Sequence, residues 1–175
     1  MKFHETGLAG VFEIEAEPVA DKRGAFARLY CPEEFSRAGI SYSLAQINLS
    51  RNPAQYTLRG MHWQDPPFAE AKFVRCMTGR IWDVVADIRK DSPTYKKWIA
   101  REIDAKKANA IFIPEGYAHG FITLDPDTDV LYQMGRMYEP GHARGFRFDD
   151  PLFGIEWPHA PEMIGDADWN WPAFA

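Results

Sequence analysis

The chain contains only two cysteines, Cys31 and Cys76, far apart and in no metal-like spacing. That excludes a disulfide framework or a cysteine-rich zinc site, and two reduced thiols in a cytoplasmic protein are the expectation. No run of about 18 apolar residues occurs, so no transmembrane helix is expected. The start, "MKFHETGLAG", lacks a long apolar core followed by a small-residue cleavage site, so no signal peptide is expected either. Positive charge is in deficit: 20 Lys and Arg stand against 25 Asp and Glu, a formal net charge of −5. A general nucleic-acid binder would carry the opposite footprint. An anionic small ligand remains compatible, provided a local group of Arg and Lys holds it.

What is present is a chain of 175 residues, 46% apolar, enough for one domain over residues 1–175 with a sizeable core. Aromatic residues reach 14%, which favours strands and an aromatic-lined interior. Short apolar or alternating runs broken by Gly, Pro and Asp read as mainly β. "FEIEAE" (12–17) alternates as a strand with one wet face. "CPEEFSRAG" (31–39) reads as a short helix, with Pro32 in its first turn and Gly39 as its stop. "SLAQINLS" (43–50) puts Gln46, Asn48 and Ser50 on one face and Ala45, Ile47 and Leu49 on the other. "AKFVRCM" and "IWDVVADIR" flank a tight turn at Gly79. "KKWIAREI", "AIFIP", "HGFITL" and "DVLYQMGRMY" continue the series, with turns at 104–109 and 125–129. Roughly nine short strands with few helices predict a β-sandwich or barrel of the jelly-roll kind. The irregular, Trp-rich segment 158–175 is too aromatic for a disordered tail and is expected to pack back on the body.

Chemistry concentrates in a few places. In "LRGMHWQD" (58–65), His62 and Gln64 share a face of an alternating strand, and Arg59 has the opposite parity. Arg59 and His62 could enter one pocket only if Gly60 makes a bulge or bend. By itself His62 reads more readily as a hydrogen-bonded histidine in an aromatic core than as a functional group. "IPEGYAHGF" (113–121) flanks His119 with two glycines, as a backbone held close to another segment requires. Lys72 points the way of Val74 and Cys76, unusual for a lysine unless it snorkels or lines a pocket. Tyr132 shares its face with Val130 and Met134, and its hydroxyl needs a partner. A metal set such as His62, Glu115 and His119 can be drawn, but no spacing supports it, and no metal is expected.

Several segments together, "LRGMHWQ", "AKFVRCMTGRIWDVVADIRKDSPTYKKW", "IPEGYAHGF", "VLYQ" and "FDDPLFGIEWP", closely resemble the dTDP-4-dehydrorhamnose 3,5-epimerases. "DKRGAFARLYCPEEF" and "AQINLS" also fit, so the resemblance runs from about residue 10 to 172. It implies a cupin jelly-roll fold, a homodimer, no metal or organic cofactor, and a nucleotide-sugar substrate. An alternating strand such as 12–17, at a sheet edge, could extend a neighbour's sheet in that dimer. The resemblance implies His62 as the base, paired with an aspartate matched best by Asp168, with Asp166 close enough to compete. It further implies Tyr132 as the opposing acid, Lys72 as the group that stabilises an enolate, and Arg23, Gln46, Asn48, Arg59 and His119 as substrate contacts. Asp168 would orient the imidazole and stabilise its cation.

The sequence also departs from the family. Where the family has "RG.F.E" this chain has "RGAFAR", so Arg28 replaces an acid. Ala143 stands in place of an acid after the tyrosine, and Gln133 in place of the lysine that commonly follows it. The catalytic positions are kept while substrate-side positions change. Arg28 and Ala143 are therefore candidates for specificity. The alternatives carried are an epimerase acting at C3 or C5 only, a 3,4-ketoisomerase on another nucleotide sugar, and a non-catalytic nucleotide-sugar-binding cupin.

Overall fold

The computed structural model describes residues 1–174. In chain order the first elements are β1 (Lys2–Glu5), β2 (Phe12–Glu15), β3 (Val19–Asp21), β4 (Gly24–Phe26) and the helix α1 (Pro32–Arg37). Next come β5 (Gln46–Asn52), β6 (Thr57–Gln64), β7 (Lys72–Thr78), β8 (Arg80–Asp87), β9 (Trp98–Asp104) and β10 (Asn109–Ile113). The chain continues with β11 (Tyr117–Thr123), β12 (Thr128–Met134), β13 (Ala143–Gly145), β14 (Met163–Ile164) and the one-turn helix α2 (Asp166–Trp169). One sheet runs β1-β2-β10-β7-β12-β5, and the second runs β13-β6-β11-β8-β9 with β14 added to β6. This is the mainly β, cupin-type jelly-roll sandwich expected from the sequence.

Burial follows from how these two sheets are covered. Between them lie Val74, Ile111 and Val130 from the first sheet and Ile81, Val85 and Phe121 from the second. The outer face of the first sheet carries Ile14, Phe73 and Phe112, which Phe35 of α1 covers. The outer face of the second sheet carries Met61, Val84 and Ala118, covered by Phe146, Phe153, Trp157 and Phe174. Central strand β11 is thus buried along its whole length, and its polar members His119 and Thr123 are hydrogen-bonded there.

The expected elements are found with ends shifted by one to a few residues. The helix closes before Gly39, whose φ of +78° is a left-handed stop. Gly79 (φ +67°) makes the β7–β8 turn, where a Cβ would sit 2.2 Å from the Thr128 hydroxyl. Strands β1, β3, β4, β13 and β14 are not legible in the sequence. Each has two to four residues, too few to show a period, and each forms only because a partner strand accepts it. One expectation is corrected: the strand at 12–17 is no sheet edge. β1 pairs with its open side and β10 with the other, so the edges of that sheet are β1 and β5. The segment 158–174 is not wholly irregular either, since it contains β14 and α2.

Candidate active site

A cavity of about 420 Å³ opens between the two sheets. β6 and β11 supply Arg59, His62 and His119, and β5, β7 and β12 supply Asn48, Lys72 and Tyr132 from the facing sheet. Gln64, Glu70, Tyr138, Ala143, Arg144 and Trp171 also line it.

The expected bend at Gly60 is there. On β11, His119 pairs with His62 and Phe121 with Arg59, so Gly60 and Met61 together face the single residue Gly120. One extra residue resets the alternation. Met61 turns outward into the core, and Arg59 and His62 both face the cavity. Gly60 has φ +124°, and a Cβ there would lie 2.5 Å from Gly120 Cα, so both positions require glycine.

His62 Nε2 lies 2.5 Å from Asp168 Oδ1. Asp168 Oδ2 accepts from the Gly60 N–H at 3.2 Å, and Oδ1 accepts from the Trp171 indole at 3.3 Å. Burial pushes the Asp168 carboxyl up, but the His62 imidazole, Gly60 N–H and Trp171 outweigh it and hold the group below its ordinary range. The imidazole is therefore held by a carboxylate at one nitrogen and has the other left for a reacting group. Asp168 rather than Asp166 occupies this place; Asp166 is exposed, at the first position of α2.

Lys72 is buried, with Nζ 3.0 Å from the His62 carbonyl oxygen and 3.1 Å from Glu70 Oε1. His119 Nε2 lies 2.7 Å from Asp83 Oδ2, and the His119 ring packs edge-on against Tyr132 at 5.8 Å. The Tyr132 hydroxyl makes no hydrogen bond among the described residues. Burial first, then the nearby Asp83 carboxylate, push that phenol well above its ordinary range, and Arg59 opposes them. At neutral pH it is a protonated donor. Arg59 commits its Nε to Asn52 Oδ1 at 2.8 Å, leaving the end of the guanidinium to the cavity.

The profile described as dTDP-4-dehydrorhamnose 3,5-epimerase matches residues 5–175. The chain belongs to the dTDP-4-dehydrorhamnose 3,5-epimerase family. A relative of that name from Sinorhizobium fredii is 38% identical over 158 residues, covering 90% of this chain and 81% of the relative. The crystal structure of the Bacillus anthracis dTDP-4-dehydrorhamnose 3,5-epimerase with TDP and PPi bound superposes with a TM-score of 0.96 at 34% identity, covering 99% of both chains. A 3'-monoepimerase from Streptomyces bikiniensis in complex with dTDP-quinovose also matches, with a TM-score of 0.90 at 30% identity over 97% of this chain and 86% of that one.

Other residues singled out by the family likeness stand elsewhere. Arg23 lies on the β3–β4 hairpin, outside the cavity, with its fork on Asp21 and its side chain 83% exposed. Arg28 pairs with Glu34 of α1 at 2.7 Å and does not line the cavity. Gln46 donates to Asn48 Oδ1 at 3.2 Å and accepts from the Tyr138 N–H at 3.1 Å, and it does not itself line the cavity. Ala143 does line the cavity, beside Arg144, whose Nε is 2.8 Å from Asp65. Sequence reasoning misses Glu70, Asp83, Arg144 and Trp171. Asp83 has a visible signal, since an acid inside the apolar run "IWDVVAD" must find a partner when buried. Among the described residues no three His, Cys, Asp or Glu side chains converge in a metal-binding group, and no helix is long and apolar enough to cross a membrane.

Proposed function

We propose that residues 1–175 act as one epimerase domain that inverts carbons beside the ketone of a nucleotide-linked 4-keto-6-deoxyhexose. The proposed conversion is dTDP-4-dehydro-6-deoxy-D-glucose to dTDP-4-dehydro-L-rhamnose, with no metal or organic cofactor. The observation that carries this reading is the opposition of the His62–Asp168 pair on one sheet to the unpartnered Tyr132 hydroxyl on the other, across one cavity.

A hydrogen on carbon beside a ketone is weakly acidic. His62 removes it as base, and the electron pair passes to the carbonyl oxygen as an enolate. Asp168 stabilises the resulting imidazolium, and the Lys72 ammonium, with His119 as a second donor, stabilises the enolate oxygen. Tyr132 then delivers a proton to the opposite face, which inverts the carbon, and solvent restores both protonation states. Proton transfer by such groups contributes roughly 10²–10⁴ in rate. Arg59 offers its fork to the pyrophosphate, and Asn48 a hydrogen bond to the substrate.

A homodimer is part of this proposal. Leu49 and Ile47 of edge strand β5 and Met77 of β7 are exposed large apolar residues of the first sheet. On the same sheet Arg75 is buried, with its Nε unpartnered and one nitrogen on the Leu29 carbonyl. Val19 and Phe26, 75% and 80% exposed, project from the Arg23 hairpin. A second copy covering these surfaces would bury them, and Arg23 would serve a cavity from the neighbouring copy. Light scattering at micromolar concentration should give twice the chain mass, and a monomer would refute the dimer. The two free thiols suit a reducing cytoplasm, where we place the reaction.

The deciding experiment is proton NMR of dTDP-4-dehydro-6-deoxyglucose with the protein in D₂O. Deuterium at both C3 and C5 is expected. Deuterium at one carbon would instead indicate a mono-epimerase or ketoisomerase, and none at either would remove this substrate.

A further inference from the structure

We infer that Glu70 is a positioning residue for the reaction, acting through Lys72; the inference rests on the proposed epimerase chemistry. An ammonium has three N–H donors on a freely rotating, four-carbon stem. One of them meets a fixed acceptor, the His62 carbonyl oxygen at 3.0 Å, and the ammonium forms an ion pair with Glu70 Oε1 at 3.1 Å. The charge thus sits at the wall of the cavity that Glu70 and Lys72 both line.

The surroundings make these contacts firm. The Lys72 and Glu70 side chains are only 7% and 6% exposed, so water does not compete strongly for either. Glu70 has no other polar partner among the described residues, and its carboxylate is committed to Lys72. Lys72 opens β7, where its backbone pairs with Ile113 and Met134, and the Gly135 N–H donates to the Ala71 carbonyl at 2.8 Å. The stem therefore leaves a rigid strand end, and the tip is tied to the backbone of the residue that bears the base. Glu70 thus holds the ammonium where it meets the His62 carbonyl. A charged donor misplaced by about 1 Å costs on the order of 10²-fold in rate.

The test is Glu70→Ala, Glu70→Gln, Lys72→Ala and the Glu70→Ala/Lys72→Ala double variant. For each, kcat and KM for 4-keto sugar turnover, dTDP affinity, thermal midpoint and a crystal structure are measured. Glu70→Ala should lower kcat by about 10²-fold with KM and dTDP affinity within about twofold. Glu70→Gln, which keeps an acceptor, should recover most of that loss. In the Lys72→Ala background the Glu70→Ala change should cost almost nothing more, because its effect passes through Lys72. Additive losses in the double variant, or an unchanged kcat in Glu70→Ala, would overturn the inference. The crystal structures provide a readout independent of turnover: Lys72 Nζ should leave the His62 carbonyl in Glu70→Ala, and an unmoved ammonium refutes the role. A wild type without turnover would count against the epimerase reading alone.

Discussion

Gly60 and Gly120 stand back to back across strands β6 and β11, each closing the space in which the other's Cβ would lie. A Cβ on Gly60 would be 2.5 Å from Gly120 Cα, and one on Gly120 would be 2.6 Å from the Met61 sulfur. This contact seats the bulge that turns Arg59 and His62 to one side.

Gly120→Ala is accordingly expected to force the strands apart at the bulge. Its nearest obstacles include the Arg59 carbonyl at 2.8 Å, which is backbone and cannot swing away. We expect a loss of about 1–3 kcal/mol, as for an overpacked core, together with a drop in turnover. Calorimetry and the D₂O exchange assay read the two effects, and a variant with wild-type stability and rate would contradict this role for the contact.

Asp168→Asn should keep a hydrogen bond to His62 but remove the charge that supports the imidazolium. A fall in kcat of about 10²–10⁴-fold is expected, with dTDP binding retained. The Asp168 carboxyl lies below its ordinary range in the folded state, so its charge is present above that range and is lost as pH falls through the lowered value. An acid limb of the rate near neutrality therefore belongs to a group other than Asp168. Such a limb should survive in Asp168→Asn, and its disappearance from the pH–rate profile of the variant would contradict the assignment.

Tyr132→Phe removes the proton donor but leaves the base. Deuterium should still enter from D₂O by retention at the same face, and inversion should slow by about 10²-fold or more. Equal losses of exchange and inversion would show that Tyr132 is needed before the enolate forms.

Asp87 offers a prediction about stability away from the cavity. Its carboxylate, fully buried, accepts from Arg89, from Ser92 at 2.5 Å and from Thr94 at 2.6 Å. Burial pushes this acid up, but the hydrogen bonds win and lower it from 3.8 to about 2. A lowered folded value stabilises the fold above about pH 4, and the contribution is lost as pH falls towards about 2, roughly 2 kcal/mol in all. Asp87→Asn should lose that amount at neutral pH and flatten the dependence of the thermal midpoint between about pH 4 and 2.

Local periodicity alone assigns the faces of the chain correctly. Gln46, Asn48 and Ser50 do share one face of β5, and Lys72 and Tyr132 do point with the interior residues of β7 and β12. A strand sends alternate side chains to opposite sides, so a few neighbours suffice to assign them. The glycine in "LRGMHW" signals the bulge for the same reason, and the motifs in their order name the family. What each side chain meets across a sheet is a matter of register and of returning segments, and these carry no local trace. Asp168 rather than Asp166 reaches His62, 106 residues away, because β14 adds to β6 and α2 follows it, with Trp171 packed against Gly145. Glu70 and Lys72 are two residues apart in sequence, yet only the closing of the sandwich over both makes them a buried pair. Arg23, named by resemblance, stands on a hairpin outside the cavity of its own chain, which no local pattern in the sequence could show.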